Sequence, residues 1–187
     1  MKLKVAFQMD PITNVDLTAD TTFRLAEEAQ KRGHKIFYYN PENLIYDNGR
    51  IIARGNEIKI NRKVEPAVKL GPDIILDLEK DIDVVWLRQD PPFDMLYITT
   101  TFLLERVRKN TLVINDPYWV RNSPEKLMIL DFKNLMPPTI ITRNLKAIIE
   151  FRSEHKDIIL KPLYGNGGSG VFRLTLGDKN LNVFFET

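Results

Sequence analysis

The chain has 187 residues, of which 43% are hydrophobic and 28% are charged, and its formal net charge is +2. This composition is typical of a globular protein, and the length is sufficient to bury a sizeable core. The charge excess is slight and no basic run is interleaved with aromatic residues, so nothing indicates a nucleic-acid partner. There are no cysteines, which excludes disulfides, thiolate chemistry and cysteine-based zinc sites.

The chain also lacks the apolar segments of a membrane or secreted protein. No apolar run approaches the roughly 20 residues that are needed to cross a bilayer. The N-terminus, MKLKVAFQMDP, reaches an Asp and a Pro too early for the core of a signal peptide. We therefore expect a cytoplasmic protein with no membrane partner.

The first 120 residues alternate between strand and helix patterns. A strand over Leu3–Met9 is followed by a helix that ends at Gly33, and then by a second strand, KIFYYN. Turn signals at 47–49 and 54–56 predict a small antiparallel meander between residues 44 and 60. Further strands are predicted at 81–89 and 111–115, on either side of a helix at 93–110. The pattern predicts a Rossmann-like α/β domain over residues 1–120.

The second region, residues 121–187, has a different order of elements. A short helix is predicted with Ser123 as its N-cap and Pro124 at its first helical position. It is followed by a predicted strand at 137–144, a helix at 145–156, a strand at 157–162 and a strand at 170–176. The last strand places Phe172, Leu174 and Leu176 on one face.

Three Asp-Pro pairs directly follow predicted strands: Asp10-Pro11, Asp90-Pro91 and Asp116-Pro117. Ligands of open α/β sheets collect at the carboxyl ends of the strands, so the three carboxylates are expected along one edge of the sheet. Asp is also a good N-cap and Pro fits the first helical turn. For Asp116 we favour this capping role.

The segment RQDPPFD, residues 88–94, combines a guanidinium, two carboxylates and an aromatic ring beside a stiff Pro-Pro pair. Arg88 is suited to clamp a substrate carboxylate with two hydrogen bonds, and Asp90 and Asp94 are suited to meet an ammonium group. A salt-bridged helix cap is an equally good interpretation.

The stretch GNGGSG, residues 165–170, fits the G-x-G-x-x-G pattern of dinucleotide-binding proteins. That fingerprint requires a helix after the glycines, whereas VFRLTL alternates as a strand does. In a Walker A loop the Lys follows the glycines, whereas Lys161 precedes them. We therefore predict a hairpin whose glycine-rich flap offers backbone amides, together with Lys161, to a polyphosphate. The alternative is a mobile turn that binds no ligand.

The segment IILKPLYGNGGSGVFRL, preceded by SPEKL, resembles the ATP-grasp superfamily. More narrowly, the chain resembles the bacterial glutathione synthetases in the order and spacing of QMDPI, LRQDPPFD, NDP…RNSPEKL, TIITRN and DIILKPLYGNGG. These motifs extend over the whole chain. The resemblance implies a Rossmann-like pre-ATP-grasp domain over 1–120, followed by the first part of an ATP-grasp domain over 121–187.

The resemblance also implies a reaction, its cofactors and its site residues. The reaction is the ATP-dependent joining of γ-glutamylcysteine to glycine through an acyl phosphate, with ATP and Mg²⁺ as cofactors. The ATP-binding residues that it implies are Lys126, Lys161, Tyr164, Gly165, Asn166, Gly167, Gly168, Ser169 and Gly170. The residues that it implies for the dipeptide site are Asp10, Arg88, Asp90 and Asp94.

The chain departs from that family in its length. Family members continue further, and their additional part carries the magnesium ligands, a substrate loop and an arginine at the reaction centre. We therefore expect an N-terminal fragment that has no metal site and is inactive alone, in which residues 177–187 begin another helix and expose Phe184 and Phe185.

Two other functions stay open at this point. One is another ATP-grasp carboxylate-amine ligase, such as a D-alanine–D-alanine ligase or a glutamate ligase. The other is a stand-alone binding or assembly module that docks through Phe184 and Phe185. The expected partners are small molecules (γ-glutamylcysteine, glycine and ATP), and the sequence leaves open whether the protein is a homo-oligomer.

Overall fold

The computed structural model describes residues 1–178, and the chain divides into two compact units, Met1–Asn122 and Ser123–Thr187. Each unit is described by itself below. No helix within residues 1–178 is both long and apolar enough to cross a membrane.

The first unit is built on a seven-stranded sheet. Its strands are β1 (Lys4–Gln8), β2 (Lys35–Tyr39), β3 (Leu44–Asp47), β4 (Arg50–Ile60), β5 (Val68–Asp77), β6 (Val84–Leu87) and β7 (Leu112–Ile114). Its helices are α1 (Thr21–Lys31), α2 (Met95–Arg106) and α3 (Pro117–Asn122). The strand order is β3-β4-β2-β1-β6-β7, and β5 pairs with β4.

The central strands run parallel. β1 pairs in parallel with both β2 and β6, and β6 pairs in parallel with β7. Their carboxyl ends therefore lie at the same edge of the sheet, where the three Asp-Pro pairs follow β1, β6 and β7. The parallel strands and the crossover helices confirm the predicted α/β class.

Both faces of the sheet are buried. On one face Val5 and Phe7 of β1 belong to the same buried cluster as Phe23 and Ala26 of α1. On the other face Ala6 belongs to a second cluster, which includes Leu104 of α2. Alternate residues of a strand point to opposite faces, so β1 contributes to both clusters and reads as a continuous apolar run.

The C-terminal end of α1 follows the sequence prediction, whereas its N-cap, Asp20, was not predicted. The Asp20 carboxylate accepts a hydrogen bond from the Phe23 N–H at 2.7 Å, which caps the first turn. At the other end Gly33 adopts a φ of +80°, the left-handed conformation that commonly ends a helix.

The predicted turn at 54–56 is wrong, because β4 is continuous from Arg50 to Ile60. A Cβ on Gly55 would lie 2.3 Å from the Tyr38 carbonyl oxygen, so this glycine permits close approach of two strands. The turn predicted at 47–49 is confirmed: Asn48 and Gly49 have φ values of +47° and +88° and join β3 to β4.

Strand β5, which pairs antiparallel with β4, was not predicted from the sequence. Gly71 and Pro72 lie inside this strand and interrupt the strand pattern in the sequence. The pairing with the long β4 supplies the backbone hydrogen bonds that local propensity does not predict.

Among residues 123–178 the second unit contains two α-helices, α4 (Glu125–Met128) and α5 (Leu145–His155), a 3-10 helix at Ile129–Leu135, and two strands, β8 (Ile158–Leu160) and β9 (Phe172–Leu174). The strands pair antiparallel, which confirms the predicted hairpin. Ile148 of α5, Ile158 of β8 and Leu174 of β9 form a small buried cluster.

Three predictions for this unit are wrong. Residues 137–144 form no strand, because the sheet described here contains β8 and β9 alone and offers this segment no hydrogen-bonding partner. Pro124, rather than Ser123, occupies the N-cap position of α4, and no side chain caps it.

The third error concerns β9, which ends at Leu174. Leu174 is 1% exposed, whereas Leu176 is 55% exposed, because Thr175 turns the chain through hydrogen bonds to the Asp178 carboxylate. Most of the predicted final helix, with Phe184 and Phe185, lies outside the described residues.

Candidate functional site

A cavity of about 320 Å³ lies at the carboxyl ends of β1 and β6. It brings together Asp10, Arg88 and Asp90, three of the residues that the sequence analysis assigned to the dipeptide site. Four carboxylates and one guanidinium line the cavity. The complete lining is Met9, Asp10, Pro11, Asn14, Val15, Asp16, Asp20, Thr22, Arg88 and Asp90.

The Arg88 guanidinium is held by neutral hydroxyl groups. Its Nε donates to Thr22 Oγ1 at 3.0 Å, and its Nη2 donates to Thr21 Oγ1 at 2.9 Å. Although four carboxylates line the same cavity, Arg88 forms no ion pair with any residue of the described part of the chain. Its positive charge is therefore available to a ligand carboxylate or another anion.

Asp10 and Asp90 connect the ends of the two strands. Asp10 Oδ2 accepts a hydrogen bond from the Asp90 N–H at 2.7 Å. Partial burial raises the pKa of the Asp90 carboxyl, and the nearby Asp10 and Asp20 raise it further, while Arg88 opposes them. This clustering of acidic groups favours a cationic ligand group beside Asp90.

The other two carboxylates of the cavity have local structural partners. Asp16 accepts hydrogen bonds from the backbone N–H and the hydroxyl of Thr18, and these bonds lower the pKa of Asp16. Asp20 caps α1. Their negative charges still contribute to the potential inside the cavity.

Asp94 and Asp116 are helix caps. Asp94 Oδ1 accepts from the Tyr97 N–H at 2.9 Å at the start of α2, and Asp94 does not line the cavity. Asp116 Oδ1 accepts from the Tyr118 N–H at 2.9 Å, and its Oδ2 pairs with Arg108 at 2.7 Å. The capping role that we favoured for Asp116 is thus confirmed.

Four residues at or beside the cavity were not predicted from the sequence: Thr21, Thr22, Asp16 and Asp20. The stretch TADTT does signal a helix N-terminus. It does not reveal that two of its hydroxyls hold a guanidinium more than 60 residues further along the chain, at separations of 66 and 67.

The glycine-rich flap, residues 164–170, joins β8 to β9. Gly167, Gly168 and Gly170 have φ values of +59°, +79° and +69°, which residues with a Cβ rarely adopt. Ser169 donates its N–H to the Asn166 carbonyl at 3.1 Å. Within residues 1–178 the other N–H groups of segment 165–170 donate no hydrogen bond, which leaves them free to bind phosphate oxygens.

Lys126 and Lys161 differ in their contacts. The half-buried Lys126 Nζ donates a hydrogen bond to the Gly165 carbonyl and so ties α4 to the flap. Lys161 is exposed and has no hydrogen-bond or ion-pair partner among the residues that the structure describes. Tyr164, at the start of the flap, is 63% exposed.

The described residues fit one of the two cofactors expected from the sequence. Free backbone amides, together with Lys126 and Lys161, are suited to the phosphates of ATP. By contrast, residues 1–178 contain no group of three or more His, Asp or Glu side chains that is arranged to hold a metal ion.

Comparison with solved structures gives the fold of the protein. D-alanyl-alanine synthetase A from Vibrio cholerae aligns with a TM-score of 0.55 at 11% identity, covering 99% of this chain and 56% of that protein. The ATP-grasp ligase PsnB, complexed with its minimal precursor, Mg and ADP, aligns at 0.50 and 16% identity, covering 98% of this chain and 61% of that protein. At these identities the likeness establishes the fold, which is that of the ATP-grasp ligases.

Family models give the protein family. The model "Prokaryotic glutathione synthetase, N-terminal domain" matches residues 3–121, and "Prokaryotic glutathione synthetase, ATP-grasp domain" matches residues 125–187. The chain belongs to the prokaryotic glutathione synthetase family.

Curated relatives agree with this family. The glutathione synthetases of Brucella melitensis and Mesorhizobium japonicum are 53% and 50% identical over 186 residues, and that of Escherichia coli O6:H1 is 39% identical. The matches cover 99–100% of this chain and 58–59% of these relatives. The chain thus spans about three fifths of their length.

Proposed function

We propose that this chain provides the dipeptide-binding side and the phosphate-binding flap of an enzyme that makes glutathione from γ-glutamylcysteine, glycine and ATP. The observation that carries this proposal is the match of both family models along the chain, together with 53% identity to a named glutathione synthetase. The arrangement of charged groups in the two units supports it.

The proposed reaction has two steps. A carboxylate oxygen of γ-glutamylcysteine attacks the γ-phosphorus of ATP, which forms an acyl phosphate and releases ADP. The glycine amine then attacks the acyl carbon, an amide bond forms, and inorganic phosphate leaves with loss of one proton from nitrogen. Both steps move negative charge between phosphate oxygens, so fixed cations and N–H donors stabilise their transition states.

In the proposed ATP-binding half, Lys126 and Lys161 neutralise phosphate charge, and the flap from Tyr164 to Gly170 closes over the phosphates. The hydrogen bond from Lys126 to the Gly165 carbonyl supports this role, because it places an ammonium group against the flap. Because the glycines of the flap have no side chains, their backbone amides can approach the bound phosphates closely.

In the proposed dipeptide-binding half, Asp10, Arg88 and Asp90 contact the substrate, and Asp94 contributes by fixing the start of α2. The guanidinium of Arg88, which forms no ion pair within residues 1–178, supports an anionic substrate group at this site. Mg²⁺ assists phosphoryl transfer when it is bound, and we assign its ligands to no residue within 1–178.

The test is a ligase assay on a chimera in which residues 1–187 are joined to the C-terminal remainder of the Brucella melitensis relative, whose matched part is 53% identical. We expect glutathione and phosphate to form when γ-glutamylcysteine, glycine, ATP and Mg²⁺ are supplied together. Chain 1–187 alone and a chimera with Lys161→Ala serve as controls. Turnover with D-alanine but not with γ-glutamylcysteine would refute the proposal in favour of a D-alanine ligase.

A further inference from the structure

The sequence contains two Asn-Gly pairs, Asn48-Gly49 and Asn166-Gly167, and each lies in the loop of a hairpin. The side-chain amide of an Asn can be attacked by the backbone nitrogen of the next residue, which makes Asn a thermolabile residue. Gly in the next position hinders this attack least, because it has no side chain. The two pairs therefore share the same intrinsic chemistry, and their surroundings decide which of them reacts.

The surroundings of Asn166-Gly167 leave both reacting groups accessible. Asn166 is exposed, and its side-chain amide forms no hydrogen bond with any residue within 1–178. The Gly167 N–H donates to no residue of that range either, so its nitrogen is free to act as a nucleophile. A Cβ on Gly167 would meet nothing within 4 Å, so water reaches the pair from that side.

The backbone around Asn166 is also weakly constrained. The Ser169 N–H donates to the Asn166 carbonyl at 3.1 Å, which closes one turn of the flap. Breaking this bond is a local opening that leaves the β8–β9 pairing intact, and it lets the Asn166-Gly167 peptide rotate into the geometry of attack.

Asn48-Gly49 is held more firmly. The residues on either side of it, Asp47 and Arg50, pair in the β3–β4 ladder and form an ion pair at 2.8 Å. The Asn48 Nδ2 donates to Asp47 Oδ1 at 3.0 Å, which fixes the side-chain amide. Rotation of this peptide requires the end of the hairpin to open.

We propose that Asn166-Gly167 is a site of spontaneous deamidation, and that this modification disables the glycine-rich flap for ATP unless bound ATP prevents it. The Gly167 nitrogen forms a bond to Asn166 Cγ and loses its proton, and the side-chain nitrogen leaves as ammonia. Water then opens the resulting succinimide at either carbonyl, which gives aspartate or isoaspartate. The reaction consumes one water molecule and requires no enzyme, oxidant or metal.

The effect on ATP follows from charge and from backbone geometry, and it rests on the proposed function, because the flap must hold the phosphates. A carboxyl group at position 166 has an ordinary pKa of about 4, so it is ionised at neutral pH and repels the phosphates. Isoaspartate also adds a methylene group to the main chain, which displaces the amides of Gly167 and Gly168. We expect ATP to bind at least about tenfold more weakly to the modified protein.

Bound ATP protects Asn166 in this proposal. A phosphate oxygen that accepts the Gly167 N–H occupies the nucleophilic nitrogen and fixes the peptide. Because only the nucleotide-free protein then reacts, the rate at Asn166 should fall by the factor 1 + [ATP]/Kd, about tenfold at an ATP concentration of ten times Kd. The rate at Asn48 should not change.

The first test follows chain 1–187 in a mildly alkaline buffer and measures aspartate and isoaspartate at both positions by peptide mass spectrometry. In the folded chain we expect Asn166 to react at least about tenfold faster than Asn48. In urea the two rates should agree within about twofold, because the same dipeptide is then unconstrained at both positions. Asn166→Gln, whose attack would require a larger ring, should give no isoaspartate at this position. A ratio in the folded chain no larger than the ratio in urea would overturn the proposal.

The second test uses the chimera with ATP and Mg²⁺. Asn166→Asp supplies the charge without the additional methylene group, and we expect calorimetry to show weaker ATP binding in this variant and a further loss in the isoaspartyl form. The same ATP affinity in the fresh protein, Asn166→Asp and the isoaspartyl form would show that the modification leaves the flap intact and would overturn its proposed effect. An unchanged rate at Asn166 when calorimetry shows the protein saturated with ATP would overturn the protection.

The two proposals can fail separately. If the chimera makes no glutathione while Asn166 of chain 1–187 still reacts in preference to Asn48, the proposed ligase function fails and the modification site stands. If the chimera is an active ligase while Asn166 reacts no faster than Asn48, the ligase function stands and the modification site fails.

Discussion

Replacing Lys161 by Ala separates a role in ATP binding from a role in folding. Lys161 is exposed and has no hydrogen-bond or ion-pair partner within residues 1–178, so its loss should change the free energy of unfolding by no more than about 0.5 kcal/mol. A hydrogen bond between charged groups contributes about 1.5–3 kcal/mol. At 1.4 kcal/mol for each factor of ten, ATP affinity should therefore fall roughly 10- to 150-fold.

Lys126→Ala should behave differently because Lys126 already has an internal partner. Its Nζ bonds to the Gly165 carbonyl, so the substitution removes a charged donor from the flap as well as from the phosphates. We expect a similar loss of ATP affinity together with a loss of about 0.5–1.5 kcal/mol in stability. We therefore expect the two variants to lower ATP affinity to a similar extent, and only Lys126→Ala to lower the free energy of unfolding clearly.

Calorimetry with a non-hydrolysable ATP analogue and urea unfolding, both on the chimera, measure the two quantities. Lys146→Ala is a matched control, since it removes from α5 an exposed lysine side chain whose ammonium group lies 3.9 Å from the Glu150 carboxylate. Unchanged nucleotide affinity in Lys161→Ala, or the same loss in Lys146→Ala, would refute the phosphate role.

Three further predictions concern stability. Asp90→Asn should be more stable than the parent at neutral pH, because burial, Asp10 and Asp20 raise the pKa of Asp90 in the folded state, so that its charged form opposes folding. Urea unfolding should show this difference closing as the pH falls through the raised pKa towards 3.8, the value from which Asp90 is raised, and a difference that is the same at neutral pH and at pH 3.8 would contradict the prediction. Gly55→Ala should prevent or severely weaken folding, because the added Cβ would lie 2.3 Å from the Tyr38 carbonyl oxygen. Circular dichroism measures this loss, and a stable variant would show that β4 can shift. Leu174→Ala should lower the free energy of unfolding by about 2–5 kcal/mol, since Leu174 is 1% exposed in a small core. Hydrogen exchange should then show a loss of protection in the second unit and not in the first.

Local sequence patterns predict the elements that local physics controls. The apolar run of β1, the glycine that ends α1 and the turn at Asn48-Gly49 each depend on neighbouring residues, and each is found where it was predicted. The hairpin around the flap is likewise predicted, because a strand pattern on both sides of four glycines leaves no helix to complete a dinucleotide fingerprint.

Other predictions failed where pairing between distant strands overrides local preference. Gly55 resembles a turn residue in sequence, yet its missing side chain serves the close approach to Tyr38. Strand β5 forms despite Gly71 and Pro72 because β4 pairs with it, and segment 137–144 forms no strand because the described residues offer it no partner.

The sequence by itself determined the α/β class, the glycine flap with its preceding lysine and the family resemblance, because these depend on residues close together in the chain. The tertiary structure alone decided which group each charged side chain of the two candidate sites contacts. Arg88 reaches hydroxyls 66 and 67 residues away, Asp90 meets Asp10 across 80 residues, and Lys126 meets Gly165 across 39. Such contacts depend on which strands and helices become neighbours, and neither periodicity nor propensity records that arrangement.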